Sequence, residues 1–246
     1  MLTALMSDIH GNREAFEACL ADARTRAVER YVFLGDYVGY GADPDFVVDT
    51  VARFVEDGAV ALLGNHDAAV FGTGDDMNAF AAQAIDWTRT RLDAAQIEFL
   101  RRLPLTAEED DRLLVHANGW APEGWGYITG PVEAERSMRR TAARLTFCGH
   151  VHVPAVYWMT PRSPAVPFAP VAGVRIPLLA SRRWLAVVGA VGQPRDGEPA
   201  ACYALLHERD GTLTYVRVPY DVDAAARKII AAGLPERLAA RLYRGA

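Results

Sequence analysis

Leu2-Thr3-Ala4-Leu5-Met6-Ser7-Asp8-Ile9-His10-Gly11-Asn12 opens the chain, and its reading decides the fold. Leu2–Met6 is a short apolar run that stops abruptly at polar residues, as a buried parallel strand would. Asp8 and His10 then stand just past the carboxyl end of that strand, where open α/β sheets bind ligands. After Gly11, apolar residues recur at Phe16, Cys19, Leu20 and Ala23, the spacing of one helix face. The unit repeats. Residues 31–34 read as a second strand that runs into Gly35-Asp36. Asp43-Pro44 pairs an N-cap with proline at the first helical position. The following helix offers Val47, Val48, Val51 and Val55 to the core. Residues 59–63 read as a third strand that runs into Gly64-Asn65-His66-Asp67. This βαβαβ alternation implies a mostly parallel sheet with covering helices.

Downstream, residues 76–103 read as helical, with Phe80, Ala84, Trp87, Arg91 and Leu92 on one or adjoining faces. Two further strands, 113–115 and 145–148, deliver His116 and then Gly149-His150-Val151-His152. From Val153 onward the helical period vanishes. Short β-type runs appear at 155–159, 174–179, 184–188, 202–206 and 213–218, separated by turn signals such as Arg195-Asp196-Gly197 and Arg209-Asp210-Gly211. They imply a second, mixed sheet packed on the first, with the proline-rich residues 160–173 as a loop or flap. Asp221 caps a helix that runs to Ala232 and stops at Gly233, and Pro235 begins a last helix with Leu238 and Leu242 on one side. With no internal repeat, low-complexity tract or linker, residues 1–246 read as one domain of α/β class, two packed mixed sheets flanked by helices.

Bulk properties exclude several function classes. The 246 residues carry a net charge of −5, which gives no electrostatic footprint for long nucleic acid. Lys228 is the sole lysine and the other basic residues are arginine, so a single arginine is a weak mark of function. Cys19, Cys148 and Cys202 are widely spaced and odd in number, which suits a reducing compartment rather than a disulfide framework. The N-terminus has no basic stretch or cleavage site and reads directly as a strand. The longest uninterrupted apolar stretch, residues 184–192, falls far short of the ~20 residues that span a bilayer. A soluble, cytoplasmic protein without a membrane partner is expected; the sequence carries no mark of an oligomeric state.

Five of the six histidines fall in one ordered series with Asp and Asn: Asp8 and His10, Asp36, Asn65 and His66, His116, then His150 and His152. His207 lies outside it. Carboxylate, amide oxygen and imidazole suit Mn, Fe, Zn or Ni, and the absence of thiolates excludes a cysteine-type structural zinc site.

In order, D-x-H, GD, GNH[D/E], H and GH-x-H, carried here by Asp8–His10, Gly35-Asp36, Gly64–Asp67, His116 and Gly149–His152, resemble the signature of the calcineurin-like metallophosphoesterase superfamily. Asp8-Ile9-His10-Gly11-Asn12, the run from Gly35 to Pro44, Val191-Gly192-Gln193-Pro194-Arg195-Asp196-Gly197, Tyr220-Asp221 and Ala232-Gly233-Leu234-Pro235 look like its small bacterial YfcE-like branch. The resemblance covers essentially the whole chain. It implies an α/β/β/α sandwich and two divalent or trivalent transition-metal ions, with Mn expected in vitro and Fe, Zn or Ni as alternatives. One ion would be held by Asp8, His10, Asp36 and His152, the other by Asp36, Asn65, His116 and His150. A hydroxide bridging them would attack phosphorus in line. His66 resembles the family's general acid, a task that suits an imidazole; the plainer reading is a turn cap.

Departures from the family's protein phosphatases narrow the substrate. Those enzymes carry GD-x-x-DRG and RGNHE, whereas here Gly39 and Tyr40 stand for Asp and Arg, and Leu63 replaces the second Arg. Without guanidinium clamps for a dianion, phosphoproteins and other monoesters fit less well than a small phosphodiester or a nucleotide phosphoanhydride such as a dinucleoside polyphosphate. Arg195 is the best candidate for a replacement phosphate contact, and equally a β-turn residue. This branch commonly has Asn and Ser just before that loop, where Val188 and Ala190 stand here. Asn12, Arg13 and Tyr40 are further candidate substrate contacts, against helix capping for Asn12 and solvation for Arg13. Asn118 and Trp120 could line the pocket, Trp120 by stacking a nucleobase or else by core packing. A non-catalytic interaction module of the same fold is the rival from another class, and the complete ligand series counts against it. The acidic balance counts against a nuclease.

Overall fold

The computed structural model describes residues 1–72 and 77–246. β1 (Leu2–Met6), β2 (Arg30–Phe33) and β3 (Val60–Ala61) pair in parallel, connected by helices α1 (Arg13–Thr25) and α2 (Pro44–Glu56). α1 buries Phe16, Cys19, Leu20 and Ala23, the face its spacing predicts. α2 buries Val47, Val48 and Val51, while Val55 stays half-buried. Asp43 precedes α2 without capping it by a side-chain bond; its carboxylate accepts from Lys228 Nζ at 2.9 Å. The third strand is shorter than expected. At Leu62, just past the strand, the fully buried Tyr37 donates its hydroxyl to the Leu62 carbonyl at 2.7 Å.

α3 (Asn65–Phe71) begins within the Gly64–Asp67 motif. The predicted helix over 76–103 is two helices in the described part, α4 (Ala79–Arg89) and α5 (Ala94–Arg102), while residue 76 lies outside the described residues. The break falls where Asp93 and Gln96 form a reciprocal capping box, Gln96 N to Asp93 Oδ1 at 2.8 Å and Asp93 N to Gln96 Oε1 at 3.0 Å. Ala84 and Leu92 are buried, but Phe80 and Arg91 face solvent, Phe80 at the first turn of α4 and Arg91 in the break between the helices.

The first sheet has the order β3-β2-β1-β11-β12-β9, with β11 (Ala201–His207), β12 (Thr212–Val218) and β9 (Arg175–Pro177) added antiparallel beside β1. The second has the order β4-β5-β6-β10-β7-β8. There β5 (Arg112–Val115), β6 (Leu145–Cys148) and β10 (Arg183–Val187) run parallel. β4 (Thr106–Glu109) and β7 (Ala155–Met159) flank them antiparallel, and β8 (Val166–Phe168) pairs antiparallel with β7. Both sheets are therefore mixed, but the chain does not divide at Val153 as expected. The late strands β11, β12 and β9 complete the first sheet, and β5 and β6 belong to the second. The cause is the free edge of β1, an apolar strand that an open edge would expose. β11, buried over six of its seven residues, covers it.

Between the sheets pack Leu5, Val32 and Leu62 from one side and Phe147, Trp184 and Ala186 from the other. α1 and α2 cover the outer face of the first sheet. α6 (Pro131–Arg139) covers the second, through Ala134 and Met138 against Val115 and Leu185. α7 (Val222–Ala231), capped by Asp221 at Ala224 N, and α8 (Glu236–Arg244), which buries Leu238 and Leu242, close the chain near α1 and α4. Among the described residues, no helix is long and apolar enough to cross a membrane.

Candidate metal centre

Each residue of the ordered series sits where a strand gives way to a loop or helix. Asp8 and His10 follow β1, Asp36 follows β2, and Asn65 starts α3 after β3. His116 follows β5, and His150 and His152 follow β6. Five of these residues have left-handed backbones: Asp8 (φ 55°), His10 (50°), Asp36 (57°), His150 (67°) and His152 (63°). Among the described residues only four other non-glycine positions do so, and two of them, Tyr40 and Trp125, border the same site. Such conformations cost roughly 1 kcal/mol or more each and persist where the surroundings over-determine them. Here His10 N donates to Asp36 O at 2.9 Å, Gly192 N to Asp8 O at 2.9 Å, and Asp8 N to Gly35 O at 3.1 Å. The loops are thereby held in bends that aim successive side chains at one point.

Two groups of ligand atoms result. Asp8, His10, Asp36 and His152 form one, and Asp36, His116 and His150 the other; within each group the ligand atoms lie within 4.8 Å of one another. All are buried. Asp36 belongs to both, with Oδ2 3.6 Å from His10 Nε2 and 3.4 Å from His116 Nε2. Asn65 Oδ1 joins the second group, 3.3 Å from His116 Nε2. The remaining ring nitrogen of each imidazole is committed outward to a backbone carbonyl. His10 Nδ1 meets Val38 O (2.9 Å), His116 Nδ1 meets Leu34 O (2.8 Å), His152 Nδ1 meets Gln193 O (2.6 Å), and His150 Nε2 meets Trp125 O (2.9 Å). A carbonyl can only accept, so each outward nitrogen carries a proton, and in the neutral ring the inward nitrogen presents the lone pair. That is the tautomer a metal needs.

The electrostatics point the same way. Burial drives His10 and His152 well below the usual histidine range, and burial with the His116 charge brings His150 down to about 3. Burial also opposes a charged His116, but the Asp36 carboxylate outweighs it and holds this imidazole up at about 9. Asp8, buried and close to Asp36, is pushed up to about 7. Two carboxylates thus converge on one volume with a single imidazolium to balance them. Three neutral imidazoles and an amide oxygen aim lone pairs into the same volume. The donor set fits hard-to-borderline cations.

His66 lies beside the cluster, its backbone N–H donated to Asp36 Oδ1 at 2.9 Å. Its ring packs against Tyr40 (centroids 4.5 Å apart) and His10 (4.7 Å). Nδ1 is buried and finds no hydrogen-bond partner among the described residues, so no turn bond through that atom holds the ring. Gly39 (φ +81°) makes this placement possible, since a Cβ there would come within 2.4 Å of His66 Nδ1. Arg195 rests over the Tyr40 ring at 5.7 Å, bonds Gln193 Oε1 through Nη2 at 3.2 Å, and leaves Nε buried without a partner among the described residues.

The other sequence candidates have structural employment. Asn12 caps α1 at Ala15 N (3.1 Å) and donates to Gly192 O (2.8 Å) and the Tyr220 hydroxyl (3.3 Å). Arg13 pairs with Glu17 and lies over Phe46 at 4.1 Å. Asn118 donates to Gly126 O at 2.9 Å and accepts from Trp120 N and Ala121 N. Trp120 packs in the cluster under the second sheet, with Arg136 over its ring at 4.7 Å. Sequence reasoning passed over Asp67, whose buried carboxylate accepts from the backbone N–H of Asp36 (2.8 Å), Tyr37 (2.8 Å) and Gly64 (3.0 Å) and so shapes the Asp36 loop. It also passed over Trp125, whose carbonyl orients His150, and Tyr127, which stacks on His150 at 4.1 Å. Asp67 was within reach as the close of the Gly64–Asp67 motif. Trp125 and Tyr127 sit in a loop with no periodic signal.

Comparison with known proteins agrees with the fold. The calcineurin-like phosphoesterase superfamily domain matches residues 1–211. An uncharacterized protein of Methanocaldococcus jannaschii is 36% identical over 250 residues, covering 99% of this chain and 98% of the relative. A metallophosphoesterase of known structure from Sphaerobacter thermophilus is 34% identical, with a TM-score of 0.89 over 100% of this chain and 99% of its own. A hypothetical protein from Pyrococcus horikoshii OT3 shares the fold, with 18% identity and a TM-score of 0.80 over 100% of this chain and 98% of its own. The chain belongs to the calcineurin-like phosphoesterase superfamily.

Proposed function

We propose that this protein is a binuclear metal-dependent phosphohydrolase of small phosphodiesters or nucleotide phosphoanhydrides. The observation that carries this reading is Asp36, one buried carboxylate common to two groups of ligand atoms. Asp8, His10, Asp36 and His152 would hold one ion, and Asp36, Asn65, His116 and His150 the other. When bound, the two ions supply Lewis-acid polarisation of the phosphoryl group and a water acidic enough to serve as nucleophile near neutral pH. Manganese is the ion of choice for reconstitution, with iron, zinc and nickel compatible with the same donors.

The chain's own residues do the rest. His66 would protonate the leaving oxygen. Burial, with the Arg195 charge adding to it against Asp36, holds this imidazole down at about 4 in the empty site, so it is neutral there near pH 7, and an anionic phosphate beside it would favour the protonated form that an acid needs. Arg195 supplies one guanidinium to the substrate's phosphate oxygens, with an unpartnered Nε–H toward the interior. A single guanidinium suits the single charge of a bridged phosphate better than a monoester dianion. Gly39 supports the same preference, because an Asp side chain there would displace His66. The acidic chain favours small substrates over long nucleic acid, and its three buried free cysteines suit the cytoplasm.

A turnover screen of the Mn-loaded protein tests the reading. Bis-p-nitrophenyl phosphate or a dinucleoside polyphosphate should give a higher kcat/KM than a phosphoserine peptide. A clear preference for the phosphopeptide would overturn the substrate class.

A further inference from the structure

Tyr127 is half exposed (51%), yet one face of its ring is stacked on His150 at 4.1 Å and 18° between planes. The segment that carries it is rigidly built. Ile128, next in the chain, is 1% exposed. Gly126 O accepts from Asn118 Nδ2 at 2.9 Å, and a Cβ on Gly126 would meet the Trp120 ring at 2.9 Å, so the indole lies directly beneath the loop. Trp125, held at φ 50°, gives its carbonyl to His150 Nε2 at 2.9 Å. The same short loop therefore orients a metal-site histidine and lays an aromatic ring flat upon it. The indole that could have stacked a nucleobase is spent as the support of this loop.

Resting on the phosphohydrolase reading, we propose that the outer face of Tyr127 is the platform for a planar aromatic group of the substrate, a nucleobase or an aryl ring. Its phosphate would lie at the cluster below. The geometry supplies the two requirements of such a platform. The ring is immobilised before the ligand arrives, so little side-chain entropy remains to be lost, and it extends outward a parallel stack that begins at His150. Stacking is tolerant of base identity because every base presents a π-face. The site would thus select an aromatic arm without reading which base it is.

Two diesters with the same p-nitrophenolate leaving group test this, one with thymidine as the other arm and one with methyl. Wild type should prefer the thymidine diester in kcat/KM by on the order of tenfold. Tyr127→Ala should abolish the preference, bringing the two diesters together in kcat/KM, and Tyr127→Phe should keep it. A preference that survives Tyr127→Ala overturns the proposal. So does an equal loss on both diesters with loss of metal, which would make the ring a prop for His150. Calorimetry of thymidine 5′-phosphate against methyl phosphate, with wild type and Tyr127→Ala, reads the platform without turnover. If neither diester is hydrolysed but the Tyr127-dependent difference in binding remains, the hydrolase reading fails and the platform stands. If binding shows no such difference, the platform fails whatever the enzyme hydrolyses.

Discussion

His66 packs its ring on that of His10 and donates its backbone N–H to the Asp36 carboxylate, yet none of the inward lone pairs of the cluster belongs to it. That separation has a kinetic signature. A general acid matters in proportion to how poor the leaving group is. His66→Ala should retain its metal and lose on the order of 10²–10⁴-fold on an alkoxide or ribose leaving group, with a visibly smaller loss on p-nitrophenyl esters. His150→Ala removes a ligand and should impair both substrate types together with metal content. Equal losses for His66→Ala across leaving groups of graded pKa, with chemistry limiting the rate, would remove it from the acid role. The protonation of the ligands carries a second expectation. Without metal, Asp8 rises to about 7 and His116 to about 9, and a ligand must shed its proton to bind an ion. Below the lower value both protons must be displaced, between the two values only that of His116, and above the higher neither. Metal affinity should therefore climb with pH through both values and then level off. Calorimetry in buffers of different ionisation enthalpy would count the protons released, and a count of zero at pH 6 would contradict the ligand assignment.

At the scale of elements, legibility followed locality. α1, α2, α7 and α8 were readable because periodic apolar faces and caps lie within each segment. α3 was not, because it is only seven residues long, opens on the site residues Asn65, His66 and Asp67, and carries no repeating face. The split between α4 and α5 hid behind a continuous run of good helix formers, although Asp93 and Gln96 stand at capping-box spacing. The ligand positions were legible because each motif follows an apolar strand. Their left-handed backbones were not, since nothing in the sequence marks Asp8, His10 or His152 as other than ordinary residues. The loop from Gly192 to Gly197 gives this scale its prediction. Gln193 orients His152 by its carbonyl and Arg195 by its side chain, so one loop fixes both a candidate metal ligand and the candidate phosphate contact. Arg195→Ala should raise KM for polyphosphate substrates more than it lowers kcat. An unchanged KM would leave Arg195 as a turn residue.

For the whole molecule, the two sheets meet at the cluster. Asp8, His10, Asp36 and Asn65 come from loops of the first sheet, and His116, His150 and His152 from loops of the second. That convergence is non-local: β1 pairs with β11 some two hundred residues away, which is why sheet membership could not be read from the order of runs along the chain. Ions bound there would tie the sheets together, and binding to the folded state alone raises stability by linkage. The most direct measurement is metal stoichiometry against activity, titrating Mn into stripped protein and following bis-p-nitrophenyl phosphate hydrolysis with Asp36→Asn alongside. Wild type should be inactive when stripped, gain turnover and thermal stability as the sites fill, and saturate at two ions per chain, while Asp36→Asn should bind both poorly and stay inactive. Full activity in the stripped protein, or two ions held with normal affinity by Asp36→Asn, would contradict a hydrolase built on a shared carboxylate.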